Sequence, residues 1–279
     1  MRRATVALCA LLLMTVSACI TRPPQNNTPP PPPQKERMVF IFCDVTISLK
    51  ETERAEVARM AAEILNHLPP GTSYRVYPIQ AETSALAQIN QKELVIPPRN
   101  KDERLQTLLE KRRQQGLADD LANISKETNA PQDGNERRDD NRTCILNALN
   151  FAGNQFKQFP AEKYDRELII ISDMLEECTD PPLKQPINIK KPNITPELKL
   201  AGEFPEVNDF STVKISIIVP VTLETYKKYA PGRMPSIDDL KEFWKIIFSR
   251  CKVPPDAENK GTYSWSNGSV PPYLLAQNK

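Results

Sequence analysis

Asp44, Thr46 and Ser48 alternate along the chain directly after an unbroken apolar run, Met38 to Cys43. A further hydroxyl, Thr143, stands just before a stretch with helical spacing, and a second acid, Asp173, follows the run Leu168-Ile169-Ile170-Ile171-Ser172. Two carboxylates and three hydroxyls make an oxygen-only donor set. Such donors suit a hard divalent cation: Mg²⁺ takes octahedral oxygen at about 2.1 Å and usually keeps several waters. The alternate spacing lets one turn direct Asp44, Thr46 and Ser48 inward together. Two carboxylates that converged without a cation would repel each other and be costly to desolvate, so convergence itself calls for an ion. Each residue also has a plain structural reading, with Asp44 and Asp173 as strand-end acids capping helices and Thr143 as an N-cap. The chemical reading rests on their combination in chain order.

The elements that must bring these residues together are legible from hydrophobic period. Met38 to Cys43 reads as a central parallel strand buried on both faces. Val57, Ala61, Ile64, Leu65 and Leu68 line one face of a helix over 52–67, which Pro69-Pro70-Gly71 ends. Tyr74 to Ile79 is a second strand, completing a βαβ unit. Leu94 to Ile96 reads as a short edge strand. Leu105, Leu108, Leu109, Leu117, Leu121 and Ile124 mark one helix or two, broken at Gly116. Ile145, Leu149, Ala152 and Phe156 mark another helix, Leu168 to Ser172 a buried strand and Val213 to Val219 a further one. The Pro-, Lys- and Asn-rich excursion from Thr179 to Asn208 reads as a long surface loop. Ser236 and Asp239 have capping-box spacing before a helix with Leu240, Phe243, Trp244 and Ile247 on one face. Tyr263 to Trp265 reads as a last short strand or, with Pro271-Pro272-Tyr273-Leu274-Leu275, as a docking segment. The pattern predicts an α/β fold: an open, doubly wound, mostly parallel sheet flanked by helices in three layers. In such a sheet ligands bind beyond the carboxyl ends of the strands, where strand order reverses.

With that placement, the set resembles the metal-ion-dependent adhesion site of von Willebrand factor A domains, with its Asp-x-Ser-x-Ser, Thr and Asp. Asp44 matches the first Asp, Thr46 stands where Ser is usual, Ser48 matches the second Ser, Thr143 the Thr and Asp173 the last Asp. Thr46 keeps the hydroxyl and adds a methyl. The resemblance covers roughly residues 36–250, with insertions near 81–142 and 179–208 as departures. It implies a Mg²⁺ site, with Mn²⁺ or Ca²⁺ as alternatives, in which an acidic residue of a protein partner completes the metal's shell. The implied role is a non-enzymatic protein-binding module for adhesion or scaffolding.

Rival chemistries fit less well. A phosphohydrolase of the haloacid-dehalogenase type would need Asp-x-Asp-x-Thr, and here Thr46 occupies the position of the second acid. The single histidine, His67, lies at a helix end beside a Pro-Pro-Gly break, away from a nucleophile. No Cys-x-x-Cys or Cys/His cluster suggests zinc or redox chemistry. The chain has only eight glycines and no Gly-rich phosphate cradle. With 37 basic and 35 acidic residues the net charge is +2, which gives no basis for nucleic-acid binding. The remaining alternative is a structural role in an envelope complex, with any metal serving only to stabilise the fold.

The first residues read as an export signal: Arg2 and Arg3, an apolar run from Ala4 to Val16, then Ser17-Ala18-Cys19. The run falls short of the about 20 residues that span a bilayer. Residues 1–18 resemble a bacterial lipoprotein signal, with Cys19 acylated as the new N-terminus, and each buried methylene adds about 0.8 kcal/mol of anchoring. Ile20 after the cysteine implies the outer membrane, facing the periplasm. Residues 19–35, with Pro23, Pro24 and Pro29 to Pro33, form a stiff polyproline tether. The folded domain is expected over 36–279.

After Cys9 and Cys19, four cysteines remain: Cys43, Cys144, Cys178 and Cys251. In an oxidising compartment they permit two disulfides in any of three pairings. Convergence of the metal loops implied by the resemblance would bring Cys43 to Cys144, leaving Cys178 to Cys251. Alternatively, Cys43 is a buried free thiol in its strand.

Overall fold

The first apolar run forms strand β1, Glu36–Asp44, buried from Met38 to Asp44 in the computed structural model. The structure describes residues 35–279 apart from 45, 47–48, 50, 80–93, 96–101, 103, 106, 109–110, 113–114, 117–118, 120–121, 123–141, 178, 181–184, 188, 190, 206–207, 223–224, 227–233 and 277–279. After β1 come helix α1 (Glu51–His67), strand β2 (Thr72–Ile79) and the two-residue β3 (Leu94–Val95). Gly71, at φ +82, makes the turn between α1 and β2, a left-handed conformation that side chains resist. Next are α2 (Ile145–Phe156), β4 (Tyr164–Ile171), the short β5 (Thr179–Asp180) and β6 (Gln185–Pro186), and α3 (Thr195–Gly202). The described part closes with β7 (Val213–Val219), α4 (Ile237–Arg250), β8 (Tyr263–Asn267) and α5 (Pro272–Leu275).

The main sheet runs β3-β2-β1-β4-β7-β8. Neighbours from β2 to β8 are parallel and only the edge strand β3 is antiparallel. Successive residues of β1 feed opposite layers, as a period of two requires. Met38, Phe40 and Phe42 belong to the same buried cluster as Ile145, Leu149 and Phe156 of α2 and Leu240, Phe243 and Trp244 of α4. Val39, Ile41 and Cys43 pack with Val57, Ile64 and Leu65 of α1 and with Leu274 of α5. This is the three-layer architecture expected from the sequence. Strand order reverses between β1 and β4, so the crevice beyond their carboxyl ends lies where Asp44 and Ser172 emerge.

Three expectations need correction or narrowing. The excursion from Thr179 to Asn208 is not a surface loop: it carries the β5–β6 hairpin and α3, and it buries Ile187, Ile189, Ile194, Ala201 and Phe204 in the α2–α4 layer. Its prolines and lysines masked apolar residues that are sparse but enough for packing, and Pro196 sits in the first turn of α3, where a missing N–H is tolerated. The described residues from Arg104 to Ala122 are helical, yet Leu105 and Leu108 are exposed rather than on a core face. The Tyr263 segment is a strand paired with β7, and Leu274 is buried, so the C-terminal part packs against the body. Ser236 is the N-cap expected: its Oγ accepts from Asp239 N at 3.0 Å, and it donates to the Asp239 carboxylate at 2.8 Å.

Candidate metal centre

Asp44 ends β1 with its carboxylate fully buried. Its Oδ1 accepts from the Thr46 hydroxyl at 2.6 Å and from the Thr46 amide at 3.1 Å, and its Oδ2 accepts from Ser172 Oγ at 2.7 Å. The Thr46 hydroxyl also lies 2.7 Å from the hydroxyl of Thr143. Three separated stretches of chain are thus joined oxygen to oxygen at the end of β1. Asp173 follows Ser172, and its Oδ1 accepts from Leu175 N at 3.0 Å, folding the third loop back over itself. Ser48 lies outside the described residues.

Ser172 is a participant that sequence reasoning missed. Its place in the sequence marks it only as the last residue of a strand, yet it donates to the second oxygen of Asp44 and also accepts from Met174 N at 2.9 Å. Met174 takes φ +64, an uncommon conformation for a residue with a side chain, directly after Asp173. Trp244 Nε1 donates to its carbonyl at 2.9 Å, so α4 props the loop from below. Tyr226, beyond β7, is buried, and its hydroxyl donates to Pro235 O at 2.9 Å. Burial raises its phenol, and the charge of Asp173 adds to the rise.

Burial pushes the Asp44 carboxyl upward; hydrogen bonds from Thr46 and Ser172 pull it down, and the charge of Glu177 adds to the rise. Among the described residues no Lys or Arg pairs with Asp44. A buried carboxylate answered by neutral hydroxyls and one backbone amide is a group that a bound cation would stabilise. Among the described residues no three of His, Cys, Asp and Glu gather closely enough to hold an ion. A cation here would therefore draw on hydroxyls and water as well as carboxylate, which suits Mg²⁺ or Mn²⁺ and not a thiolate metal.

The expected bridges Cys43–Cys144 and Cys178–Cys251 do not form. Cys144 is disulfide-bonded, whereas Cys43 and Cys251 are free, buried thiols. The alternative, a buried free thiol at Cys43 in its strand, is the one that holds: Cys43 faces the α1 layer, while Cys144 is the N-cap of α2 on the other side of the sheet. Cys178 lies outside the described residues. Burial and the Asp44 charge push the Cys43 thiol up to about 12, and burial alone does the same for Cys251. Alkylation of the native protein at neutral pH therefore spares both, and peptide mapping without reductant recovers Cys144 joined to neither. Because the folded thiols hold their protons longer than unfolded ones, their contribution to stability is whole below pH 9.0 and is lost as pH rises towards about 12. Urea midpoints at pH 8 and above should show that fall, and early alkylation of Cys43 in the native state would contradict it.

No family model matches the sequence, and no curated protein matches it. Solved structures do resemble it in fold. A von Willebrand factor type A protein from Catenulispora acidiphila shares 10% identity over 86% of this chain and 40% of its own, with a TM-score of 0.46. The manganese-loaded TRAP protein of Plasmodium vivax shares 11% over 88% of this chain and 72% of its own, with a TM-score of 0.39. Proximal thread matrix protein 1 from the mussel byssus, with a zinc-occupied adhesion-site motif, shares 12% over 78% and 48%, with a TM-score of 0.35. The chain spans less than half the length of the first of these. The open three-layer α/β fold rests on the chain's own sheet order and layers.

Proposed function

We propose that this chain is a divalent-metal-dependent protein-binding module of the bacterial envelope, tethered to a membrane. The observation that carries the reading is the fully buried Asp44 carboxylate, met by two hydroxyls and one backbone amide, and by no basic side chain among the described residues, at the switch point of the sheet. Asp44, Thr46, Thr143 and Asp173, with Ser48, would hold Mg²⁺, and Mn²⁺ or Ca²⁺ could stand in its place. So few charged ligands around a divalent ion leave room for another anion. An Asp or Glu of a partner protein is the natural donor, and the chain then acts by binding rather than by catalysis.

Attachment follows from the leader. No helix among the described residues is long and apolar enough to cross a membrane. Acylation of Cys19, with the proline-rich stretch as spacer, would hold the domain on the periplasmic side of the outer membrane. Titration of the full-length chain in detergent with Mn²⁺ should show one saturable site. Crosslinking in intact membranes should yield a protein adduct that EDTA removes, and Cys19→Ala should move the protein to the soluble fraction. Absence of saturable Mn²⁺ binding would overturn the metal reading, and membrane retention of the Cys19 variant would overturn the anchor.

A further inference from the structure

A threonine just ahead of a helix ordinarily turns its hydroxyl onto the first free amides. Thr143 does not need to. The N-cap position of α2 is Cys144, with no side-chain cap, and the carboxylate of Glu176 accepts from Leu146 N at 3.0 Å in its place. Glu176 is fully buried, and its carboxylate oxygen takes the free amide of Leu146 in the first turn of the helix. The next residue grips Thr143 itself. Glu177 N donates to Thr143 O at 3.0 Å, and the Glu177 carboxylate accepts from Thr143 N at 3.3 Å. The third loop is fixed from its far side as well, since Ile189 N donates to Glu176 O at 3.1 Å. The Thr143 hydroxyl meanwhile stands 2.7 Å from Thr46 Oγ1, on the side of Asp44.

We infer that Glu176 and Glu177 form a clasp that makes Thr143 an ion-facing hydroxyl instead of a helix cap, an inference that rests on the metal-binding reading above. Glu176 takes over the capping duty, and Glu177 holds the Thr143 peptide on both sides. Neither is a metal ligand; both are positioning residues that preset the second loop against the third. Outer-shell partners of this kind commonly carry a 10- to 100-fold effect on metal affinity, because they fix the orientation of the ligands they hold.

The test uses the full-length chain in detergent and reads free Mn²⁺ by electron paramagnetic resonance. Glu176→Ala and Glu177→Ala should each weaken Mn²⁺ binding by about 10-fold or more, while Glu176→Gln and Glu177→Gln, which keep an acceptor oxygen, should stay within about threefold of the parent. In a Thr143→Ala background, Glu177→Ala should add little, because both changes disable the same hydroxyl. Should Glu176→Ala fail to fold, the Glu177 pair and the double-mutant cycle carry the result. Parent-like affinity in Glu177→Ala, equal losses in its Ala and Gln variants, or full additivity with Thr143→Ala would overturn the clasp alone. A parent chain that binds no Mn²⁺ would overturn the metal reading and the clasp with it.

Discussion

Asp44→Asn should abolish divalent-ion binding and at the same time make the ion-free protein more stable at neutral pH. The two effects have one cause. Asparagine matches the shape of aspartate and keeps an acceptor for the Thr46 hydroxyl and amide, while its amide group can donate to Ser172 Oγ. What it removes is the charge. The Asp44 carboxyl is raised in the folded state, chiefly by burial. A raised acid contributes stability that is whole below its unfolded value of 3.8 and is lost as pH rises through the folded value. At neutral pH the ion-free fold therefore bears the cost of an acid that burial keeps from ionising as freely as it does in the unfolded chain, and Asp44→Asn removes that cost. An ion reverses the balance in the parent: at about 100 times its dissociation constant it adds about 2.7 kcal/mol. Thermal melts with and without Mn²⁺ check both halves. The parent midpoint should rise with the ion, and the Asn variant should start higher and stay fixed. A variant that Mn²⁺ still stabilises would remove Asp44 from the site.

The centre of the fold was legible because its strands are short apolar runs with acids at their ends. Met38 to Cys43 and Leu168 to Ser172 could hardly be read otherwise, and they carry Asp44 and Asp173 by position alone. Capping chemistry was legible at α4, where Ser236 and Asp239 lie three residues apart. It was not legible at α2, because the cap is Glu176, thirty residues downstream of Leu146, and no local pattern reports such a contact. Ser172 was hidden for a related reason: a serine ending a strand is unremarkable until the neighbouring strand places Asp44 beside it. The cysteines failed differently. Nearness in a loop map said nothing about which face of the sheet each residue takes, and alternation along β1 turns Cys43 away from α2. In the stretch from Thr179 to Asn208, composition outweighed pattern. Isoleucines at 187, 189 and 194 were enough to pull a proline-rich segment into the core.

Trp244→Ala should be the most damaging single change away from the metal-facing residues, and its comparison with Trp244→Phe separates packing from positioning. Trp244 is fully buried among the large side chains of the α2–α4 layer, with Phe243 5.2 Å away ring to ring and Phe248 at 6.1 Å. Truncation to alanine at such a site costs about 3–5 kcal/mol through lost contacts and cavity. It also orphans the Met174 carbonyl, a further loss of about 1–3 kcal/mol that need not add in full. Phenylalanine restores much of the volume and leaves only the orphaned carbonyl. That carbonyl belongs to a residue at φ +64, a conformation that costs about 1–3 kcal/mol and persists only while its surroundings hold it. With the indole N–H gone, the Met174 peptide is free to relax, and Asp173 on one side and the Glu176–Glu177 pair on the other shift with it. Trp244→Phe should therefore lose Mn²⁺ affinity out of proportion to its modest loss of stability. Urea melts and Mn²⁺ titrations on the same samples measure the two separately. If Trp244→Phe bound Mn²⁺ like the parent while melting earlier, the indole would serve the core alone, and the left-handed turn after Asp173 would be held by Ser172 without help from α4.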